Sequence, residues 1–136
     1  MTPPVYLDYN ATTPVAPEVA DAIIPFLREH FGNASSAHVY GRRAADAVAE
    51  ARACIAALIG ARSEEIFFTG CATDANNIAI RGVAHALSGS KRHLVISNVE
   101  HPAVHEPAMH LRETGWNVTV VPVDGTGRID PDAVVA

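Results

Sequence analysis

The sequence has few cysteines, a single lysine and no excess of positive charge, and each of these features excludes some classes of protein. Cys54 and Cys71 are the only cysteines among 136 residues, too few for a disulfide framework, so a reducing, cytoplasmic location is expected. The net charge of −5 gives no electrostatic basis for binding nucleic acid or an anionic membrane. No apolar run approaches the roughly 20 residues of a membrane-spanning helix, and the first residues show no signal-peptide pattern.

The remaining composition is that of a folded domain. Apolar residues make up 49% of the chain and charged residues 18%, which disfavours disorder. The seven histidines are interpreted as scattered surface and core residues, and no metal site is predicted. The length is sufficient for one modest domain with a core, and we expect an extended arm over residues 1–14 and the domain over residues 15–136.

Hydrophobic periodicity predicts alternating helices and strands. Five helices are predicted. The first begins near Pro17 and ends by Gly32, and the second runs from about Gly41 to Ile59. The third follows the turn after Phe68 and runs to about Leu87, the fourth runs from Pro102 to Thr114, and the fifth begins at Asp130. Predicted strands are Ile66–Phe68, His93–Ser97 and Trp116–Val121, with a further short strand considered at Val5–Tyr9. Pro25 should kink or split the first helix. This alternation is typical of an α/β fold with parallel strands, and the apolar run at His93–Ser97 predicts a strand covered on both faces.

The stretch Phe67–Asn77 is the centre of the predicted site. Small and hydroxyl residues separate a predicted strand from a predicted helix, so free N–H groups and the positive end of the helix dipole would meet at one point. That arrangement suits an anion, most often a phosphate, although neither a dinucleotide fingerprint nor a P-loop is present. An ordinary strand–helix turn with a threonine N-cap is an equally good interpretation of this stretch alone.

A second polar segment, Asn98–Pro102, also follows a predicted strand. Its His101 precedes a proline and should therefore lie at or near the N-cap of the next helix. Because ligands of parallel sheets bind beyond the carboxyl ends of the strands, both segments should lie on one rim.

Taken together, these segments resemble the N-terminal part of the cysteine desulfurases, pyridoxal-phosphate enzymes of the class V aminotransferase group. The landmarks, in chain order, are Tyr6–Pro14, Phe31–Ser36 with His38 and Gly41, Ile66–Thr69, Ala72–Thr73 with Asn77, and Glu100–His101 with Val104. The resemblance implies the fold type I of pyridoxal-phosphate-dependent transferases, with a parallel-rich sheet and flanking helices. It also implies the removal of sulfur from L-cysteine, leaving alanine and an enzyme persulfide.

The resemblance assigns roles to individual residues. Ala72 and Thr73 match the loop that binds the phosphate of pyridoxal 5′-phosphate, and His101 matches the histidine that stacks on the ring and assists proton transfer. Imidazole suits that role because it is planar and exchanges protons near neutral pH. The segment around Asn33 and His38 matches one near the mouth of the active site, without a firm role. The chain departs from the family at Gly70, usually serine, and at Cys71, usually glycine, where a side chain or an unfavourable backbone angle would affect cofactor affinity.

Other family residues have no counterpart within positions 1–136. The Schiff-base lysine, the aspartate at the ring nitrogen, a glutamine and the arginine for the substrate carboxylate all belong further along. Lys91 is the only lysine and is predicted in a surface turn. We therefore expect an inactive fragment of a homodimeric enzyme that passes sulfur to an acceptor protein, for iron–sulfur assembly, tRNA thiolation or another pathway. Two alternatives stay open: a stand-alone binding or dimerisation module, and a fragment of a selenocysteine lyase or class V aminotransferase.

Overall fold

The computed structural model describes residues 4–135 and confirms an α/β chain with a parallel sheet and flanking helices. Its elements are α1 (Pro17–Arg28), α2 (Val39–Ile59), a 3₁₀ turn (Ser63–Glu65), α3 (Ala72–Leu87), β1 (His93–Ser97), α4 (Pro102–Glu113), β2 (Asn117–Val121) and α5 (Asp132–Val135). The chain divides into two compact units, Met1–Ile66 and Phe67–Ala136, which are described separately. The predicted arm over residues 1–14, whose first three residues lie outside the described part, stays a prediction.

The first unit corrects two expectations about its early residues. The segment Val5–Tyr9 contains no strand and leads into a turn in which Ala11 N donates to Asp8 O at 3.1 Å. Helix α1 is continuous through Pro25 to Arg28, so the predicted split is wrong. Pro25 has no N–H to donate to the carbonyl of Asp21, but its own carbonyl accepts from Glu29 N at 2.8 Å, so the helical hydrogen bonding resumes after it.

Helix α2 has clear signals at both ends. It begins two residues earlier than predicted, after His38, whose ring Nδ1 accepts from Gly41 N at 3.3 Å. It ends where predicted, before Gly60, whose left-handed φ of 69° closes the last turn at little cost for a residue without a side chain.

The loop between α1 and α2 folds back onto the start of α2. Phe31 stacks on Tyr40 with ring centroids 5.8 Å apart, and Ser36 N donates to Asn33 O at 2.9 Å. A Cβ atom at Gly41 would overlap the backbone carbonyl groups of Asn33 and Ser36. The loop is therefore a packed structure that depends on the absence of a side chain at position 41.

We expect the substitution Gly41→Ala to destabilise the chain by about 1–3 kcal/mol, the usual cost of overpacking, because backbone atoms cannot swing aside as a side chain can. The matched control is Gly82→Ala in α3, where nothing lies within 4 Å of the added Cβ. That control should stabilise the chain slightly because alanine is the better helix former. Urea unfolding of both variants checks the prediction, and equal stability of the two would contradict it.

In the second unit, β1 and β2 form a two-stranded parallel sheet joined through α4. The register pairs His93 with Asn117 and Ser97 with Val121. Helix α4 packs against both strands and against α3. The buried apolar residues of this unit lie on α4 and on the elements packed against it, and they are Ala84, Ile96, Ala103, Pro107, Ala108, Leu111 and Val121.

The strand predicted at Ile66–Phe68 is not present as a strand. Ile66 has an extended backbone (φ −94°, ψ 122°), as its β-forming sequence predicts. A strand also needs a hydrogen-bonded neighbour, and the sheet formed by the described residues contains β1 and β2 only. The prediction that β1 is covered on both faces holds only for its last two residues. Ile96 and Ser97 are buried, but Val95 is 37% exposed.

Apolar surface is unusually exposed throughout the described chain. The accessible area is 10746 Å², whereas a folded monomer of 14.4 kDa exposes about 6,800 Å² and two separate units of half that mass about 8,200 Å². The exposed apolar residues of α1 and α2 include Ile23, Phe26, Leu27, Ile55, Leu58 and Ile59. Patches of this kind mark contacts with a protein or a membrane, ligand grooves or aggregation-prone surface. Among residues 4–135, no helix combines the length and hydrophobicity needed to cross a bilayer.

Candidate functional site

The N-terminus of α3 has the geometry of an anion site. Cys71 is the N-cap residue, and its side chain makes no capping hydrogen bond. The first N–H groups of a helix have no intrahelical acceptor, so those of Ala72 and Thr73 are directed at whatever lies beyond the helix end. The alternative of a threonine N-cap is wrong, since Thr69 instead donates its hydroxyl to Cys71 O at 2.9 Å and so organises the turn.

The two departures from the family pattern are tolerated by this backbone. Cys71 has an extended conformation (φ −162°, ψ 172°) that any residue adopts, so the expected backbone penalty at this position does not arise. A Cβ at Gly70 would approach Asp74 Oδ2 to 3.1 Å, a tight contact with a side chain of the first helical turn. The glycine thus leaves space directly beside the helix N-terminus.

His101 is placed at the start of α4, as predicted. Its ring Nδ1 accepts a hydrogen bond from Ala103 N at 3.0 Å, which makes it the N-cap, and Pro102 occupies the first helical position. The loop before it is anchored to the sheet: Asn98 N donates to Val121 O at 2.9 Å. His101 therefore extends from the carboxyl end of β1 on an ordered connection.

One cavity of about 450 Å³ brings two of the predicted residues together. Its lining residues, all from α3 and α4 with the α4 N-cap, are Thr73, Asn77, Arg81, His101, Pro102, Ala103, Glu106, Pro107 and His110. The volume lies in the usual range for small-molecule sites, about 300–1,000 Å³. Ala72 precedes Thr73 as the first residue of α3, but its side chain is not part of this lining.

Sequence reasoning assigned no role to several lining residues. Asn77 and Arg81 follow Thr73 at intervals of four residues, which places all three on one face of α3. The same interval relates Pro102, Glu106 and His110 on α4. Asn77 Nδ2 donates to Thr73 O at 3.0 Å, one turn back. The four-residue spacing from Thr73 is the sequence signal that could have identified this face of α3.

Lys91 and Thr73 lie at opposite ends of α3. It follows α3 and precedes β1, whereas Thr73 begins α3 and His101 follows β1. Because α3 has 16 residues, about 24 Å of helix separates its two ends, more than a lysine side chain spans. No cluster of three or more potential metal ligands occurs within the part of the chain that the structure describes.

Comparison with known proteins gives consistent matches over nearly the whole chain. Residues 5–136 match the family described as Aminotransferase class-V. A cysteine desulfurase IscS of Dictyoglomus turgidum is 53% identical over 128 residues, which cover 94% of this chain and 32% of that relative. The chain thus spans about a third of the length of the curated relatives it matches.

Two solved structures share the fold. A protein described as NifS-like superposes with a TM-score of 0.88 at 38% identity, covering 96% of this chain and 36% of that one. A structure described as SspA in complex with cysteine superposes with a TM-score of 0.78 at 38% identity, covering 86% of this chain and 34% of that one.

Proposed function

Because the chain belongs to the class V aminotransferase family, with cysteine desulfurases among its relatives, we propose that it is the cofactor-phosphate portion of a pyridoxal-phosphate-dependent cysteine desulfurase. The complete enzyme would remove sulfur from L-cysteine and leave alanine and an enzyme persulfide. One structural neighbour is described as a complex with cysteine, which supports that substrate class. Chain 1–136 alone is proposed to be inactive.

The observation that carries the proposal is the convergence of Thr73 and His101 on one cavity. The residues present fit the cofactor chemically. The free N–H groups at the start of α3 and the Thr73 hydroxyl match a phosphate, and the flat imidazole of His101 matches an aromatic ring. Arg81 adds positive charge to the same lining.

When bound, pyridoxal phosphate supplies an electron sink that the protein's own side chains lack. The residues of this chain would hold and orient it. Ala72 and Thr73 would hold the phosphate, His101 would contact the ring, and the N-terminal dipole of α3 would favour the negative charge. The groups that complete the chemistry, the attachment lysine above all, are proposed to lie outside positions 1–136.

A chimera provides the test, in which residues 1–136 replace the aligned stretch of the Dictyoglomus turgidum relative. In this protein, Thr73→Val should weaken retention of pyridoxal phosphate roughly 10- to 100-fold, because a hydrogen bond to a charged group is worth about 1.5–3 kcal/mol. Binding of pyridoxal, which lacks the phosphate, should be unchanged. The amounts of pyridoxal phosphate and of pyridoxal that stay bound are measured by absorbance after dialysis.

The matched control is Thr114→Val. It removes a hydroxyl at the C-terminal end of α4, whereas His101 lies at the N-terminal end. It should retain the cofactor as the unmodified chimera does. An equal loss for the two valine variants, or an equal loss of pyridoxal and its phosphate, would refute the assignment of Thr73.

Further properties of the complete enzyme are proposed from the family. These are homodimerisation, a cytoplasmic location, transfer of sulfur to an acceptor protein, and a cofactor-binding domain that includes residues 15–136. The exposed apolar faces of α1 and α2 are consistent with burial against further polypeptide in such an assembly.

Two other functions stay open. A selenocysteine lyase or aminotransferase of the same family would bind the cofactor through the same residues, and only the product separates them. One observation favours a non-catalytic binding or dimerisation module. Lys91, the only lysine in the sequence, follows the C-terminal end of α3, whereas Thr73 lies at its N-terminal end. A stable, monodisperse chain 1–136 would support the module, whereas aggregation that ceases in the chimera would support the enzyme.

A further inference from the structure

The N-cap of α4 determines which ring nitrogen of His101 carries the proton. Nδ1 accepts from Ala103 N at 3.0 Å, so it must present a lone pair. A neutral imidazole has one N–H only, which in this arrangement belongs to Nε2. The more usual N-caps, serine, threonine, aspartate and asparagine, accept through oxygen and carry no such consequence.

The loop that holds His101 is tied down at points independent of this cap. The Ser97 hydroxyl donates to Glu100 Oε1 at 2.7 Å, and Ser97 is only 5% exposed. On the other side, Asn98 Oδ1 accepts from Val123 N at 3.1 Å. The backbone leading to His101 is therefore fixed to the ends of both strands, and the cap fixes the ring.

We propose that His101 presents its Nε2–H to the cavity as a hydrogen-bond donor while its Nδ1 caps α4. In this state, Nε2 already carries its proton and cannot act as a base. A proton can be added only at Nδ1, and this removes the acceptor of Ala103 N because both nitrogens of an imidazolium are donors. Protonation of His101 and capping of α4 are thus mutually exclusive. The tautomer stands on the contacts of this chain; its use toward the cofactor or substrate rests on the function proposed above.

The direct test is the tautomer of His101 in chain 1–136, measured without cofactor by long-range ¹H–¹⁵N correlation of histidine-labelled protein. The pH is kept mildly alkaline, above the ordinary pKa of a free imidazole. We expect a pyridine-type Nδ1 and a pyrrole-type Nε2. His38, which caps α2 through Nδ1 in the same way, should show the same pattern. The reverse assignment, or a rapidly averaged mixture at His101, would overturn the proposal whether or not the cofactor binds.

Two substitutions separate the cap from the ring. His101→Asn keeps a good capping oxygen and removes the imidazole, whereas His101→Ala removes both. The alanine variant should raise the unfolding equilibrium constant roughly five-fold and lose hydrogen-exchange protection at Ala103 N, while the asparagine variant keeps wild-type values for both. Equal stability and equal protection in the alanine variant and the wild type would overturn the capping role. Local exchange at Ala103 decides the question if global unfolding is poorly cooperative.

Discussion

Replacing His101 by asparagine in the chimera is expected to lower the turnover of L-cysteine by roughly 10²- to 10³-fold, the usual cost of removing one preorganised hydrogen-bond donor from a reacting centre. The size of the effect follows from the place of His101, which extends from the end of β1 into the cavity shared with Thr73. Asparagine also caps helices well, so α4 should keep its first turn. The loss should therefore fall on kcat, with the melting temperature unchanged.

The control for that substitution is His105→Asn on the same helix. His105 contacts Glu106 at 3.1 Å and does not line the cavity, so its replacement should change kcat less than two-fold. If His101→Asn kept full activity, His101 would be a structural cap only. If both variants lost activity together with thermal stability, the effect would belong to the integrity of α4 and not to chemistry at the ring.

Chain 1–136 by itself is expected to release no alanine from L-cysteine and to develop no specific visible absorbance band with pyridoxal phosphate. The proposed phosphate end of the cavity has no lysine within reach, because Lys91 is separated from Thr73 by the length of α3. Rates should stay at the level of the cofactor in buffer. Absorbance spectra and an alanine assay measure both expectations.

Lys91→Arg is the matched variant for this prediction, since it keeps the charge and removes the amine that the cofactor can attach to. It should behave as the unmodified chain in every assay. Turnover by chain 1–136 that disappears in Lys91→Arg would contradict the placement of the attachment lysine outside this chain. Borohydride reduction followed by peptide mapping gives an independent measurement of the same point.

The helices could be predicted because their signals are local. Gly60 in its left-handed conformation ends α2, and His101 followed by Pro102 begins α4, as the residue types alone suggest. The strand predicted at Ile66–Phe68 failed because a strand depends on a neighbour that is often distant in sequence, and the sheet of the described residues consists of β1 and β2 only. Local propensity gave extended backbone there but could not supply the partner.

The candidate site shows the same division between local and tertiary information. Thr73 and His101 could be located from sequence because each follows a strand-like segment and begins a helix. The contributions of Asn77 and Arg81 needed the packing of α3 on α4, since only that contact turns one helix face into a cavity wall. The capping role of the His101 ring required atomic geometry, because a sequence does not show which nitrogen accepts a bond.

The most direct test of the central claim is the stoichiometry of products from L-cysteine in the unmodified chimera, loaded with pyridoxal phosphate and supplied with a thiol reductant. If residues 1–136 form the phosphate and ring site of a cysteine desulfurase, alanine and sulfide should appear in equal amounts and at a rate close to that of the relative. A folded, cofactor-loaded chimera that forms no alanine from L-cysteine would contradict the account.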